Sequence, residues 1–153
     1  VKTAREIHVL VVEDSPSDAN LLLEAFAEHH VDCKIHVVAD GEEALAFLRR
    51  EKSWHEAPPI DLIFLDLNLP RKDGREALAE IKSDPRLRAI PVVVMTTSAA
   101  ERDIARCYDL QVSSYVVKPL GIDEFLARME ILCAYWFQVA TLPASIPPRV
   151  ERI

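Results

Sequence analysis

The sequence predicts an α/β protein with a doubly wound, five-stranded parallel sheet in the order 2-1-3-4-5. Three observations lead there. Short apolar runs alternate with helical patterns along the chain, with brief connections between them. The run Leu62-Ile63-Phe64-Leu65 is continuously apolar, as a strand buried on both faces is. The runs also end in polar or charged groups, and open α/β sheets hold their ligands at that carboxyl edge.

Ile7 to Val12 reads as strand one and runs into Glu13-Asp14. Ser15-Pro16-Ser17-Asp18 then opens a helix: a capping Ser, Pro at the first helical position, and acid in the first turn. Leu21, Leu22, Ala25 and Phe26 give that helix its apolar stripe. Ile35 to Ala39 is strand two. Gly41 precedes a helix carrying Ala44, Leu45, Phe47 and Leu48, and Lys52 to Pro59 is a polar connection. Strand three ends at Asp66. Helix three starts near Asp73-Gly74 and stops around Asp84-Pro85. Strand four follows Pro91 and ends in Thr96-Thr97-Ser98. Ser98-Ala99-Ala100-Glu101 has the spacing of a capping box and should open helix four. Strand five, Ser114 to Val117, ends in Lys118-Pro119. Helix five begins near Gly121 and is expected to run as far as Leu142. Residues 1–142 are expected to form one domain, with 143–153 as an extended tail and no second domain.

Composition excludes several classes. A chain of 153 residues, half of them hydrophobic, suits one packed domain. No apolar stretch reaches the roughly 18 residues of a membrane span, and the first residues lack a secretory apolar core. A net charge of −7 disfavours nucleic-acid binding, and Arg49-Arg50 and Arg71-Lys72 read as solvated surface. Cys33, Cys107 and Cys133 form no CxxC pair, which fits buried or half-buried thiols in a reducing cytosol. Gly41, Gly74 and Gly121 are the only glycines, and they write neither a dinucleotide fingerprint nor a Walker loop.

In the predicted strand order, strands one and three are neighbours, so Glu13, Asp14 and Asp66 meet. Ionised carboxylates at that range repel, and a proton or a cation must join them. Mg²⁺ suits such a site: it takes one or two carboxylates, keeps several waters and accepts phosphoryl oxygens. Asn68 can add its backbone carbonyl. The competing account, separate strand-end acids in water, leaves their gathering without a reason. Lys118 supplies the fixed positive charge at this edge as a compact ion-pairing donor. A cis bond to Pro119 is one way to aim it inward. Thr96 and Thr97 carry hydroxyls to the same edge.

The set Glu13-Asp14, Asp66, Thr96, Tyr115 and Lys118-Pro119 resembles the receiver domain of two-component response regulators. Asp66 to Glu76 and Val92 to Ser98 look most like the small single-domain regulators paired with bacterial and cyanobacterial phytochromes. The resemblance implies a flavodoxin-like receiver fold and a phosphorelay protein rather than a conventional enzyme. Asp66 would take a phosphoryl group from a sensor histidine kinase, becoming an aspartyl phosphate. Asp14, Asp66 and the Asn68 carbonyl would hold Mg²⁺, with Glu13 acting directly or through water. Lys118 would pair with the acyl phosphate, Thr96 would turn toward it and Tyr115 would swing inward. Self-catalysed transfer and self-dephosphorylation would follow, the latter tuned at Asn68 and Ser98. A cytoplasmic location and a phytochrome-type kinase partner are implied as well.

Residues Ile131 to Leu142 contain no charge. Ile122, Phe125, Leu126, Met129, Leu132, Cys133 and Trp136 read as the inward stripe, with Ile131, Tyr135, Phe137 and Val139 spilling around the helix. A helix apolar on all sides needs cover on all sides. A second copy of the chain is the expected cover, with Tyr135, Trp136, Phe137, Leu142 and Ile146 in the dimer interface and the proline-rich tail as an arm. Two other readings compete. A haloacid-dehalogenase-type phosphatase also uses an Asp nucleophile and Mg²⁺, but Asn68 stands where that chemistry needs a second acid. A phosphate-independent interaction module leaves the acidic set and Lys118 unexplained. A flavin-mononucleotide site fails because Glu13-Asp14-Ser15-Pro16 would repel a phosphate lacking a metal.

Overall fold

The computed structural model describes residues 6–28 and 33–143. Ile146 and the rest of the proposed tail beyond Pro143 lie outside the described residues. Strands β1 (Ile7–Val12), β2 (Cys33–Val38), β3 (Leu62–Leu65), β4 (Val92–Thr96) and β5 (Ser114–Val117) form one sheet in the order β2-β1-β3-β4-β5. Every pairing is parallel. Helices α1 (Pro16–Glu28), α2 (Gly41–Arg49), α3 (Gly74–Ser83), α4 (Glu101–Asp109) and α5 (Ile122–Ala134) fill the crossovers and the C-terminal end.

Strand alternation divides the core in two. Leu10, Val12, Ile63, Leu65, Val92 and Val94 face the side covered by α2, α3 and α4. Val9, Val11, Leu62, Phe64, Val93 and Met95 face α1 and α5. Continuing the alternation past the strand ends carries Glu13, Asp66 and Lys118 to the α1/α5 face. Thr96 follows Val92 and Val94 toward α3 and α4, and Tyr115 packs on that cluster too. The site is therefore sorted into two halves by the period of the strand.

Caps fix the helix starts. The Ser15 hydroxyl accepts from Asp18 N at 3.4 Å, and Asp40 caps α2 by accepting from Glu43 N at 2.8 Å. The expected capping box of α4 does not form. Its N-cap is Ala100, which gives no side-chain bond, and Ser98 Oγ turns to Asp103 at 2.6 Å.

The C-terminal helix differs from expectation as well. It is α-helical only to Ala134, then widens into a π turn over Tyr135–Val139. Trp136 is 9% exposed and belongs to the chain's own core. Phe137 packs edge-on against Phe26 with ring centroids 5.6 Å apart, and Leu142 lies on the same cluster. Three expected dimer contacts are thus wholly or largely used within the chain: Trp136 and Phe137 continue the Met129–Cys133 stripe, and the segment after the π turn lays Leu142 on the same cluster. Ile122, expected inward, is exposed at the first position of α5, whose buried face begins at Phe125. The outward row is Ile131, Tyr135 and Val139 at 70%, 51% and 72% exposure.

Candidate functional site

Sheet register assembles the site. Val12 of β1 is the partner of Leu65 of β3, so Glu13 and Asp66 leave the sheet side by side. Their backbones are still tied in: Glu13 N donates to Val38 O at 3.0 Å and Asp66 N to Val12 O at 3.1 Å. Thr96 pairs with Val117, and Lys118 N donates back to Thr96 O at 2.7 Å. The Lys118 side chain then passes across the strand ends toward the acids. The bond to Pro119 is trans, so the strand end and the side chain's length bring the ammonium inward without a cis bond.

Nζ of Lys118 donates to Glu13 Oε1 at 2.7 Å, Asp66 Oδ2 at 2.9 Å and Asp18 Oδ2 at 2.9 Å. An ammonium has three donors, and all three go to carboxylates. Asp18 is the residue that sequence reasoning read only as a helix-start acid. It sits in the first turn of α1 on the same face of the sheet as Glu13, so it closes the cage from above. Asp14 is exposed beside this group. Glu13, Asp14 and Asp66 each offer a carboxylate oxygen within 4.8 Å of the others.

Charge is unbalanced here. Burial, then the neighbouring Asp66, push the Glu13 carboxyl up to about 9. Burial works against ionised Asp66 as well, but hydrogen bonds from Glu13, Lys118 and the Asn68 N–H hold its carboxyl below the ordinary value. The pair thus keeps one proton, on Glu13. Lys118 is buried, which favours its neutral form, yet its hydrogen bonds to Glu13, Asp18 and Asp66 raise it above the usual lysine value. Glu13 Oε2 is buried and receives no hydrogen bond from a donor group of the protein. A proton shared with Asp66, or a cation, is what satisfies it. A divalent, oxygen-seeking cation fits this donor set of hard carboxylates, with an exposed acid at its rim.

Asn68 N donates to Asp66 Oδ1 at 3.0 Å, so both oxygens of Asp66 are held. The Asn68 side-chain amide donates to Thr96 Oγ1 at 3.3 Å, and Thr96 is fully buried. Tyr115 donates its hydroxyl to Ser98 O at 2.8 Å. Burial raises the phenol above its usual value. Gly74 is needed where it stands: its N–H donates to Leu67 O at 2.9 Å, and a Cβ there would collide with the Asp66 carbonyl and lie 2.6 Å from Leu67 Cα. The start of α3 thereby seats the backbone of Asp66.

Of the residues expected at the site, Glu13, Asp14, Asp66, Asn68, Thr96 and Lys118 converge, and Tyr115 stands behind Thr96 on the α4 side. Sequence reasoning missed Asp18, Arg75 and Asp103. Arg75 forks onto Asp103 with Nε–Oδ1 and Nη2–Oδ2 distances of 2.7 Å each. Its Nη1 reaches Asp73 Oδ1 and Oδ2 at 3.1 and 3.2 Å.

Among the described residues no helix is long and apolar enough to cross a membrane. The response regulator receiver domain family model matches residues 9–130. Response regulator Rcp1 from a Synechocystis strain is 41% identical over 137 residues, which is 90% of this chain and 93% of that protein. The crystal structure of its Mn²⁺-bound form superposes with a TM-score of 0.88, covering 90% of this chain and 99% of that one. The crystal structure of the phosphorylated cyanobacterial phytochrome response regulator RcpA has the same TM-score of 0.88 at 45% identity, covering 92% of this chain and all of its own.

Proposed function

Since the chain belongs to the response regulator receiver domain family, matched over residues 9–130, we propose that it is a phosphoryl-operated switch in which Asp66 accepts a phosphoryl group from a sensor histidine kinase. Residues 1–142 act as the receiver unit. The observation that carries this reading is the convergence of Lys118 and three strand-end acids on one pocket, with Lys118 Nζ 2.9 Å from Asp66. A carboxylate oxygen of Asp66 attacks phosphorus, forming an O–P bond while the bond from phosphorus to the donor breaks. Asp14, Asp66, the Asn68 carbonyl and Glu13 are suited to Mg²⁺, which when bound neutralises charge on the transferred oxygens. Glu13 gives up its proton to take part. Lys118 keeps a donor for the incoming group, since its hold on Asp66 Oδ2 passes to a phosphoryl oxygen. Thr96 exchanges the Asn68 amide for the same group, donating its hydroxyl. These contacts make the transfer and the later hydrolysis self-catalysed.

The kinase partner in this reading is a cytoplasmic one, and the likeness to RcpA, a phytochrome response regulator, makes a light-sensing kinase the first to try. A second copy of this chain covers the exposed row Ile131, Tyr135 and Val139. Transfer profiling tests the core of the proposal. Labelled, autophosphorylated sensor kinases, a phytochrome kinase among them, should pass label to the wild-type protein and none to Asp66→Asn. Label on that variant, or no transfer from any kinase tried, would overturn the assignment. For the dimer, sedimentation should show Ile131→Glu/Val139→Glu as a monomer at concentrations where the wild type is paired.

A further inference from the structure

Helix α4 is anchored in an unusual way. Its buried residues are Asp103 and Cys107, so an ionised side chain takes a place that apolar residues hold in α1, α2 and α3. Asp103 is 9% exposed, and its carboxyl is held far below the usual range by Arg75 and Ser98. A two-pronged guanidinium–carboxylate pair is both strong and directional. The same guanidinium also spans to Asp73, the residue before α3, at the end of the loop that starts with Asp66.

The other side of this cluster is Ser98. Its hydroxyl donates to Asp103 Oδ2 at 2.6 Å and accepts from Ala100 N at 3.3 Å. Its carbonyl holds the Tyr115 hydroxyl at 2.8 Å. Ala100 contributes no side-chain cap, so the entry to α4 depends on Ser98 and Asp103. Two residues upstream is Thr96, whose hydroxyl meets the Asn68 amide. The Arg75 fork thus joins the loop leaving Asp66 to the loop leaving Thr96.

We propose that Arg75, by fastening Asp103 and Ser98 to the first turn of α3, is a positioning residue that holds Thr96 and Tyr115 in register with Asp66 for phosphoryl uptake. The proposal rests on the phosphoacceptor reading above. Arg75 touches neither the transferred group nor the metal ligands. It acts through Ser98, whose placement decides whether the Thr96 hydroxyl meets an oxygen on Asp66 without first reorganising the loop.

Labelling kinetics with acetyl phosphate and Mg²⁺, together with ¹⁹F spectra of 3-fluorotyrosine protein, test this. The Tyr115 signal is assigned with Tyr115→Phe. Arg75→Met should slow labelling about fivefold, the worth of one hydrogen bond to the reacting group, with metal affinity changed less than twofold. Its Tyr115 signal should shift in the unphosphorylated protein. Asp103→Asn should do the same, and Arg75→Met/Asp103→Asn should be no slower than the slower single variant, since both cut one link. Ser98→Ala, the gentlest change, should move both readouts in the same direction if the larger variants fold poorly. A merely structural pair would lower the melting temperature and leave the labelling rate of the folded protein and the Tyr115 signal unmoved, which overturns the proposal. Failure of the wild-type protein to label would instead bring down the phosphoacceptor reading itself.

Discussion

Replacing Lys118 with Met removes the ammonium and keeps most of the side-chain volume. Three charge-assisted bonds of 2.7–2.9 Å disappear, to Glu13, Asp18 and Asp66. Side-chain exposure is 6% for Lys118, 3% for Glu13 and 10% for Asp66, so water replaces little of what is lost. Breaking a buried ion pair by removing one partner costs about 3–5 kcal/mol. Part of this is recovered because the abandoned acids bind protons, so about 3 kcal/mol is expected at neutral pH in chelator. At roughly 2–4 °C per kcal/mol for a chain of this size, the melting temperature falls by about 6–12 °C. The pH dependence has a definite sign. Asp66 and Asp18 are depressed in the folded protein, partly by Lys118, so their contribution is present above their ordinary value of 3.8 and is lost as pH falls through the folded values. The gap between wild type and variant should therefore close toward acid. Millimolar Mg²⁺ should narrow it too, because a divalent ion takes over the neutralisation. Scanning calorimetry in chelator, then with metal, measures all of this. A melting shift below about 2 °C in chelator would refute the claim that this ammonium is what holds the acids together.

Gly74→Ala forces a methyl group onto the Asp66 carbonyl and Leu67 Cα; a loss of about 1–3 kcal/mol in urea unfolding is expected, with slower labelling of Asp66, and a neutral variant would show that α3 does not seat that backbone. Raised to about 9 from 4.5, Glu13 keeps a proton that the unfolded chain has lost, so the metal-free protein should lose stability as pH rises across that window. Metal binding should release that proton, visible by titration calorimetry in buffers of different ionisation heat as an affinity that climbs with pH up to about 9; a pH-independent affinity would place Glu13 outside the metal's reach.

Strand positions were legible because the signals are local. Apolar runs, the turns after them and the capping Ser15 lie within a few residues of each other. Glu13, Asp66 and Lys118 could be brought together from the strand order alone, since parallel strands deliver their ends to one edge. Asp18 was within reach too: the alternation that turns Glu13 toward α1 also turns it toward the first turn of that helix. Arg75 and Asp103 were not, because 28 residues separate them and neither stands in a periodic pattern. The capping-box spacing at Ser98 misled because the helix starts two residues later: Ala100 stands at the N-cap, and the Ser98 hydroxyl accepts from Ala100 N while donating to Asp103. Trp136 was legible as part of the inward stripe, but its further place in a dimer interface, like that of Phe137, misled because an uncharged helix end does not say which of its apolar residues the chain itself buries.

The most direct test is to locate the phosphoryl group. Protein incubated with acetyl phosphate and Mg²⁺, reduced with borohydride and mapped by peptide mass spectrometry, should carry homoserine at position 66, and chelation should remove the signal. Trapping at Asp14 or Asp18 instead, or a yield at Asp66 indifferent to chelator, would contradict the account of this pocket as a metal-assisted phosphoryl acceptor.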